Sequence, residues 1–434
     1  MAADGSVKSI PPLPPSLLPI TASVDGGGRL AVGGVDLLDL ASEHGTPVFV
    51  YDEAHLRTRC REAVAAFDDG VAYASKAFLC RAMARLAHDE GMCVDVSTGG
   101  ELHVALSAGV PADRLVLHGN NKSEAELARA AEVGVGRVVV DSFDEIARLE
   151  RLAAGLTVLV RVTPGVEAHT HEYVMTGQED TKFGFSIASG AADEALRRLR
   201  AAERAGAVRL RGVHAHIGSQ IFLLHSFVKQ VDALVPFFAP LGLPELCVGG
   251  GLGVAYVGGE EDIGIADWAA TVHDACAVAG IPTDTRITAE PGRAIVATAG
   301  LTLYRVGTIK ELAGIRTYVS VDGGMSDNPR PVLYGSGYEA FLPRATTADR
   351  PQAVRVVGKH CESGDVVVRA ACLPCDAAVG DVLCTPVTGA YGHSMASNYN
   401  KVPRPPVIFV RDGAARVVVR RETLDDLLRL DVGD

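Results

Sequence analysis

Lys76 stands in the run Tyr73-Ala-Ser-Lys-Ala-Phe-Leu79, a mostly apolar setting in a chain that holds only eight lysines. A lysine just past a strand is ordinarily a solvated charge. Apolar surroundings lower an amine's pKa, however, and make it a competent nucleophile toward a carbonyl carbon. Gly249-Gly-Gly-Leu-Gly253 lacks the lysine and hydroxyl of a nucleotide-binding loop and the spacing of a dinucleotide fingerprint. It is either a plain strand-to-helix turn or a loop whose bare N–H groups approach a phosphate closely. Arg293 would add a charge-assisted contact to the same anion. Glu290 reads as a strand-end carboxylate or, opposite a pyridine ring, as the group that keeps the ring nitrogen protonated and raises its electron demand. His216 alone is more often a satisfied core histidine, and Gly218 and Ser219 beside it bring the two readings level. Further on, Cys361-Glu-Ser-Gly-Asp365 joins a thiol, a carboxylate and a turn, which a simple hairpin tip would also explain. Cys372-Leu-Pro-Cys375 has half the spacing of a zinc or redox motif, but with no second pair in register it reads as structural.

Positioning these groups requires a regular scaffold. From about residue 48 to 293 a short apolar, β-branched run, a turn and an amphipathic segment recur. Eight candidate buried strands lie near 71–75, 93–97, 115–118, 137–140, 158–161, 212–216, 246–248 and 286–289. Helix-like segments at 81–90, 124–133, 144–153 and 193–205 separate several of them, so the strands should pair in parallel with crossover helices. Eight such units point to a closed (β/α)8 barrel of the TIM type. Nearly every chemically loaded residue then falls at the C-terminal end of a strand: Lys76, Asp95 with residues 97–100, His118, Asp141, Arg161, His216 with Ser219, the glycine run, and Glu290 with Arg293. That rim is where such barrels build their sites, with phosphate recurrently held after the last two strands. After residue 299 short strand-like runs follow without clear helices, which predicts an antiparallel β domain, barrel or sandwich. Residues 23–36 look β-like and would join it. The expected division is a flexible, proline-rich tail at 1–22, a barrel at 46–298, and a β domain from 23–45 and 299–434.

Bulk properties narrow the classes. A chain of 434 residues exceeds one ordinary core, and 48% hydrophobic with 22% charged residues is a globular composition. A net charge of −12 argues against nucleic acid or an anionic membrane as partner. The nine cysteines are an odd number scattered through apolar runs, as expected of buried thiols in a reducing compartment. Prolines interrupt residues 1–20, which argues against a signal peptide, and no window approaches the roughly 18–20 apolar residues that span a bilayer. A cytoplasmic location is the expectation, with no metal implied.

Longer segments carry a resemblance. Tyr73-Ala-Ser-Lys-Ala77, Asp95-Val-Ser-Thr-Gly-Gly-Glu-Leu102, His118-Gly-Asn-Asn-Lys122, His169-Thr-His-Glu-Tyr173 and Thr176-Gly-Gln-Glu-Asp-Thr-Lys-Phe-Gly184 are five of them. His216-Ile-Gly-Ser-Gln220, Glu290-Pro-Gly-Arg293, Val321-Asp-Gly-Gly-Met325, Arg330-Pro-Val-Leu-Tyr334, Cys361-Glu-Ser-Gly-Asp365 and Gly389-Ala-Tyr-Gly392 complete the set. Together, over about residues 48–427, the chain resembles the diaminopimelate decarboxylases, in the alanine-racemase-like and ornithine-decarboxylase-like group of pyridoxal-phosphate enzymes. The resemblance implies that Lys76 carries pyridoxal 5'-phosphate and that His216 stacks on its ring. Ser219, Gly250 and Gly251 would lie near the phosphate, Glu290 would face the ring nitrogen, and Asp95, Gly292 and Arg293 would complete the cofactor set. Arg293, Arg330 and Tyr334 would bind the substrate's distal amino-acid end, Glu362 its ammonium, and Tyr391 would lie beside cofactor and substrate. Cys361 would return a proton to Cα. Cys361 and Glu362 would reach into the partner subunit's site, which implies a homodimer.

Decarboxylation of meso-2,6-diaminopimelate to L-lysine is the activity implied. A racemase would need a second base opposite Lys76. A decarboxylase of ornithine or arginine would present a cationic distal end, which Arg330 with Tyr334 disfavours; carrier-bound glutamate is compatible with them. Retention of Lys76, Glu290 and Cys361 speaks against a non-catalytic regulatory homologue, and the second domain against a barrel that only binds the cofactor.

Overall fold

The computed structural model describes residues 13–166 and 180–433, so the segment 169–173 and the start of 176–184 lie outside the described residues, as does most of the expected tail. The chain forms two compact units, one built from residues up to Leu56 with Ala255–Glu261 and everything from Val296, the other from Arg57–Val254 and Asp262–Ile295.

The β unit begins earlier than expected. Leu13 and Leu17 are buried, and Thr21 donates through its N–H and hydroxyl to Asp52 Oδ2 at 3.1 and 2.7 Å, so residues 13–22 are packed chain and not tail. Strands β1 (Ser23–Val24), β2 (Leu30–Val32) and β3 (Val35–Asp36) form their own small antiparallel sheet and do not join the larger one. Asp36 then caps α1 (Leu37–His44), accepting from Leu38 and Asp39 N–H. The next strand, β4 (Val48–Asp52), is buried throughout and belongs to the large sheet of this unit, not to the repeating barrel pattern. Helix α2 (Glu53–Phe67) follows.

In the barrel unit the eight expected strands are all present: β5 (Ala72–Ala74), β6 (Cys93–Val96), β7 (Leu115–Leu117), β8 (Arg137–Val140), β9 (Leu156–Thr163), β11 (Val208–His214), β12 (Glu245–Cys247) and β13 (Arg286–Thr288). They pair in parallel in that order, and the two-residue β10 (Phe185–Ser186) pairs in parallel with Val162 and Thr163 at the end of β9. Ala72 N–H to Ala289 O (2.9 Å) and Ala74 N–H to Pro291 O (3.1 Å) close the ring. Crossovers run through α3 (Arg81–Asp89), α4 (Gly99–Ser107), α5 (Glu124–Val133), α6 (Phe143–Leu152), α7 (Ala191–Arg204), α8 (Leu224–Phe238) and α9 (Ile265–Val278), and α10 (Arg293–Val296) ends the run. Ala72, Cys93, Val116, Val139, Leu159 and Cys247, from six different strands, pack as one buried cluster inside the barrel.

Carboxylates stitch the strand-to-helix loops of the rim together. Glu101 accepts from Ser97 N–H (2.6 Å) and Ser97 Oγ (2.8 Å), while Glu126, half of a capping box with Ser123, reaches Gly99 N–H at 2.7 Å. Lys122 donates to Gly119 O and Val139 O and pairs with the buried Glu145 at 2.9 Å. Asp95 and His118 stand where β6 and β7 lead into two of these loops, which the hydrogen bonds hold in place.

A second ion cluster is centred on one buried carboxylate. Glu245, the fully buried first residue of β12, takes Arg137 Nε at 3.2 Å and Arg211 Nε at 2.9 Å. Removing one member of a buried ion cluster strands the others, so Glu245→Ala is expected to lower unfolding stability by about 3 kcal/mol. A denaturant titration unchanged from the native protein would contradict this.

The remaining β unit carries β14 (Gly300–Leu312), β15 (Arg316–Val321), the short α11 (Arg330–Tyr334), β16 (Gln352–Val357), β17 (Val366–Leu373), β18 (Val382–Pro386), β19 (Val407–Arg411) and β20 (Ala414–Val419). The sheet order is β17-β16-β15-β14-β4-β19-β20, with β18 also on β14. Most pairs are antiparallel as expected, but β15 with β16 and β4 with β19 are parallel. Long excursions separate both pairs in sequence, which a parallel pairing requires and a strand pattern alone does not reveal.

Candidate active site

Lys76 lies in a single 3-10 turn, Ser75–Ala77, directly after β5. Tyr73 Oη donates to Phe78 O at 2.6 Å and fixes that turn, with Ser75, Ala77 and Phe78 buried and Lys76 itself exposed. The apolar neighbours read from sequence thus form its base and leave the amine at the open rim.

After β13, the Glu290 carboxylate is held from both sides. His118 Nε2 lies 2.8 Å from Oε1 and His214 Nε2 lies 3.0 Å from Oε2. Asp95 Oδ1 stands 3.8 Å from the same His118 nitrogen. Burial works to raise the Glu290 pKa, but the charges and hydrogen bonds of the two histidines outweigh it and hold the carboxyl well below its ordinary range. Burial lowers His118, and the adjacent Asp95 and Glu290 more than restore it, leaving it raised. His214 falls to about 4, first through burial, and His216 falls well below its usual value through burial, then Lys76 and Arg161. Asp95 is pushed up to about 6 by burial. The donor atoms of His118, His214 and Glu290 all lie within 4.8 Å of one another, a set that could also take a metal ion. Here they satisfy one another by hydrogen bonding.

The loops after β11 and β12 interlock. Ile221 N–H donates to Gly251 O (3.0 Å), Gly253 N–H to Ile221 O (2.9 Å), and Gly250 N–H to His216 Nδ1 (3.2 Å). Arg293 Nη2 donates to Ser219 Oγ at 3.0 Å. Gly251 has φ of +115° and a Cβ there would collide with Gly218 O; a Cβ at Gly250 would collide with Glu290 O. Only glycine permits this close approach of bare backbone. Gly292 lies against Ala74, where a Cβ would stand 2.8 Å from the carbonyl oxygen.

Within the β unit, Arg330 opens α11 as a buried residue. Its guanidinium lies 4.2 Å over the Tyr256 ring and donates through Nη1 to Tyr338 Oη at 2.7 Å. Those two tyrosines meet edge-on at 5.2 Å. Burial opposes the charge, but the tyrosines, with Tyr391 contributing, keep the arginine firmly cationic. Tyr334 ends the same helix, half-buried. Cys361 and Glu362 lie exposed on the connection between the antiparallel strands β16 and β17, at a hairpin. Asp365 and His360 anchor this hairpin: Asp365 accepts from Met325 N–H (2.7 Å) and His360 N–H (2.9 Å), and His360 Nε2 meets Ser326 Oγ at 2.9 Å. Six of the nine cysteines are buried; Cys361 and Cys375 are exposed, Cys372 is intermediate, and all are free, which corrects the expectation of uniformly buried thiols.

Sequence reading placed Lys76, Asp95, His216, Ser219, Gly250, Gly251, Glu290, Gly292 and Arg293 on one rim, and there they lie. It missed His214, which ends β11 two residues before His216. It also left His118 without a partner, and it had no signal for Tyr256 or Tyr338 around Arg330.

This donor set fits pyridoxal phosphate: an amine at the rim, a glycine cradle that any Cβ would fill beside an arginine-bound hydroxyl, and a carboxylate kept anionic, the charge that a protonated ring nitrogen would need opposite it. Residues 53–297 match the family model described as pyridoxal-dependent decarboxylase, pyridoxal binding domain. The diaminopimelate decarboxylase of Mycobacterium tuberculosis is 47% identical, with 97% of this chain and 98% of that protein covered. That of Bacillus subtilis is 44% identical over 93% and 95% respectively. A crystal structure of diaminopimelate decarboxylase from M. jannaschii, in co-complex with L-lysine, superposes with a TM-score of 0.87 at 30% identity, covering 96% of this chain and 98% of that one. Fold, cofactor chemistry and full-length likeness agree, and the chain belongs to the pyridoxal-dependent decarboxylases, in the diaminopimelate decarboxylase family.

Proposed function

We propose that the chain removes one Cα carboxylate from meso-2,6-diaminopimelate, releasing CO2 and L-lysine. The observation that carries the substrate choice is Arg330, a buried and permanently charged arginine braced by two tyrosines, which suits a carboxylate at the far end of a bifunctional amino acid.

Pyridoxal phosphate, when bound, withdraws electrons from the Cα of an amino acid joined to its aldehyde carbon, so that the Cα–carboxylate bond can break. Lys76 would hold the aldehyde carbon before substrate arrives, and its freed amine would stay at hand. Ser219, Gly250, Gly251 and Arg293 would fix the phosphate end, His216 one ring face, and Glu290 the ring nitrogen, with Asp95 and Gly292 completing the pocket. Arg330, Tyr334 and Arg293 would take the distal carboxylate, Glu362 the distal ammonium, and Tyr391 a place beside both ligands. Gripping the remote end decides which bond at Cα stands perpendicular to the ring, which is how remote binding energy is turned into rate. Cys361 would donate the proton that replaces CO2.

Incubation with meso-diaminopimelate, ornithine, arginine and lysine while CO2 is measured tests the substrate. Release from diaminopimelate alone is expected; faster release from another of these would overturn the choice. Arg330→Ala should raise KM for diaminopimelate by about 30- to 150-fold, corresponding to about 2–3 kcal/mol for a lost charge-assisted pair. An unchanged KM would refute the role.

We further propose a cytoplasmic homodimer whose Cys361 and Glu362 serve the partner subunit's site. The exposed hairpin that carries both residues, and the absence of any disulfide among the described cysteines, support this reading. No helix among the described residues is long and apolar enough to cross a membrane. Lys76→Ala and Cys361→Ala proteins, each inactive alone, should regain about a quarter of native activity when dissociated together and reassembled, because half the dimers then hold one complete site. No recovery would contradict shared sites.

A further inference from the structure

Glu290 is gripped twice, and the two grips are not alike. Each uses a histidine Nε2 and a different carboxylate oxygen, at 2.8 Å for His118 and 3.0 Å for His214. His214 Nδ1 is buried with no hydrogen-bond partner among the described residues. A proton there would be stranded, so the ring's single proton belongs on Nε2, where it can be donated to Glu290. His118 faces two carboxylates from one nitrogen, with Asp95 at 3.8 Å in addition to Glu290. The two rings meet edge-on with centroids 5.0 Å apart, close enough for two imidazolium charges to repel each other.

We propose that His118 and His214 are unlike positioning residues for Glu290, His118 a charged partner and His214 a neutral donor, which together keep the carboxylate ionised and aimed at the cofactor's ring nitrogen. The aim rests on the cofactor reading above; the double grip does not. The charged groups that face the pair agree with the assignment. Asp95 and Glu290 lift His118 against burial and Arg161, whereas burial, His118 and Arg161 outweigh Glu290 at His214. Lys76 acts on neighbouring Asp95 and His216, and Cys247 also lies within the field of Glu290. Two donors are needed because burial alone would drive a proton onto Glu290, and a protonated carboxyl could not hold a protonated ring nitrogen. One donor on each oxygen also stops the carboxylate from rotating and leaves a lone pair open toward the rim.

The test begins with the native protein freed of cofactor and labelled in its histidine nitrogens. In a pH titration, magnetic resonance should show a range in which His214 is already the neutral Nε2–H form while His118 is still the cation, with His118 losing its proton above the ordinary imidazole range. The same charge state at both rings throughout, or the reverse assignment, would overturn the proposal. Carboxyl-labelled glutamate, with Glu290 identified by its loss in Glu290→Gln, supplies the second readout. Glu290 should stay ionised across that range in the native protein and in His214→Gln, which keeps a neutral donor. In His118→Gln, which loses the charge, Glu290 should take up a proton. Equal behaviour of the two variants would contradict unlike roles. After cofactor loading, kcat should fall at least about 10-fold in His118→Gln and less than about 3-fold in His214→Gln. With ring-nitrogen-labelled cofactor, a Glu290→Gln protein that keeps the ring protonated would overturn the ring contact and leave the double grip standing.

Discussion

Lys76→Ala protein is expected to hold no covalently attached pyridoxal phosphate and to turn over meso-diaminopimelate at less than about one-thousandth of the native rate. Two losses combine. The aldehyde carbon no longer has its resident amine, so substrate must condense with free cofactor, and the amine that would be left near Cα after exchange is gone. The turn that carries Lys76 depends on Tyr73 Oη and Phe78 O, and its base on Ser75, Ala77 and Phe78, so the fold does not depend on the lysine side chain. Visible absorbance after cofactor addition and CO2 release measure the two effects separately. Retention of both would remove Lys76 from the chemistry.

Glu290→Gln should be the next most damaging change at the barrel rim, with kcat reduced about 10²- to 10³-fold, or about 3–4 kcal/mol, and KM changed far less. The replacement keeps the shape and removes the charge. It also turns one acceptor into an NH2 group, so either His118 or His214, each within 3.0 Å of its own oxygen, must confront a donor. A ring nitrogen without an anion opposite it loses its proton more easily and draws electrons from Cα less strongly. A kcat within threefold of native would show that the ring nitrogen does not depend on this carboxylate.

Much of this architecture was legible in the chain because the barrel repeats one simple rule. Each strand is a short β-branched run, and each polar residue that ends a strand must emerge at the same rim, so Lys76, Asp95, Ser219, Glu290 and Arg293 could be grouped without coordinates. The β unit is less legible. The apolar run of β4 reads like another barrel strand, and only its pairing with β14 and β19 assigns it elsewhere. Residues 13–22 look like a tail because prolines dominate, yet Leu13 and Leu17 are buried. The same limit applies within the site. The run from Gly212 to His216 shows that His214 and His216 are close in sequence, but not that His118, nearly a hundred residues before His214, meets the carboxylate that His214 meets. Nor can spacing show that Tyr256 and Tyr338 bracket Arg330, since Tyr256 is distant in sequence and α11 ends at Tyr334, before Tyr338 is reached.

The most direct measurement is peptide mapping of native protein incubated with pyridoxal phosphate and fixed with borohydride, which turns a lysine–cofactor link into a stable amine. The cofactor mass is predicted on the peptide containing Lys76, and prior addition of meso-diaminopimelate should diminish it. Labelling confined to another lysine, or absent while CO2 is still released, would contradict the account at its centre.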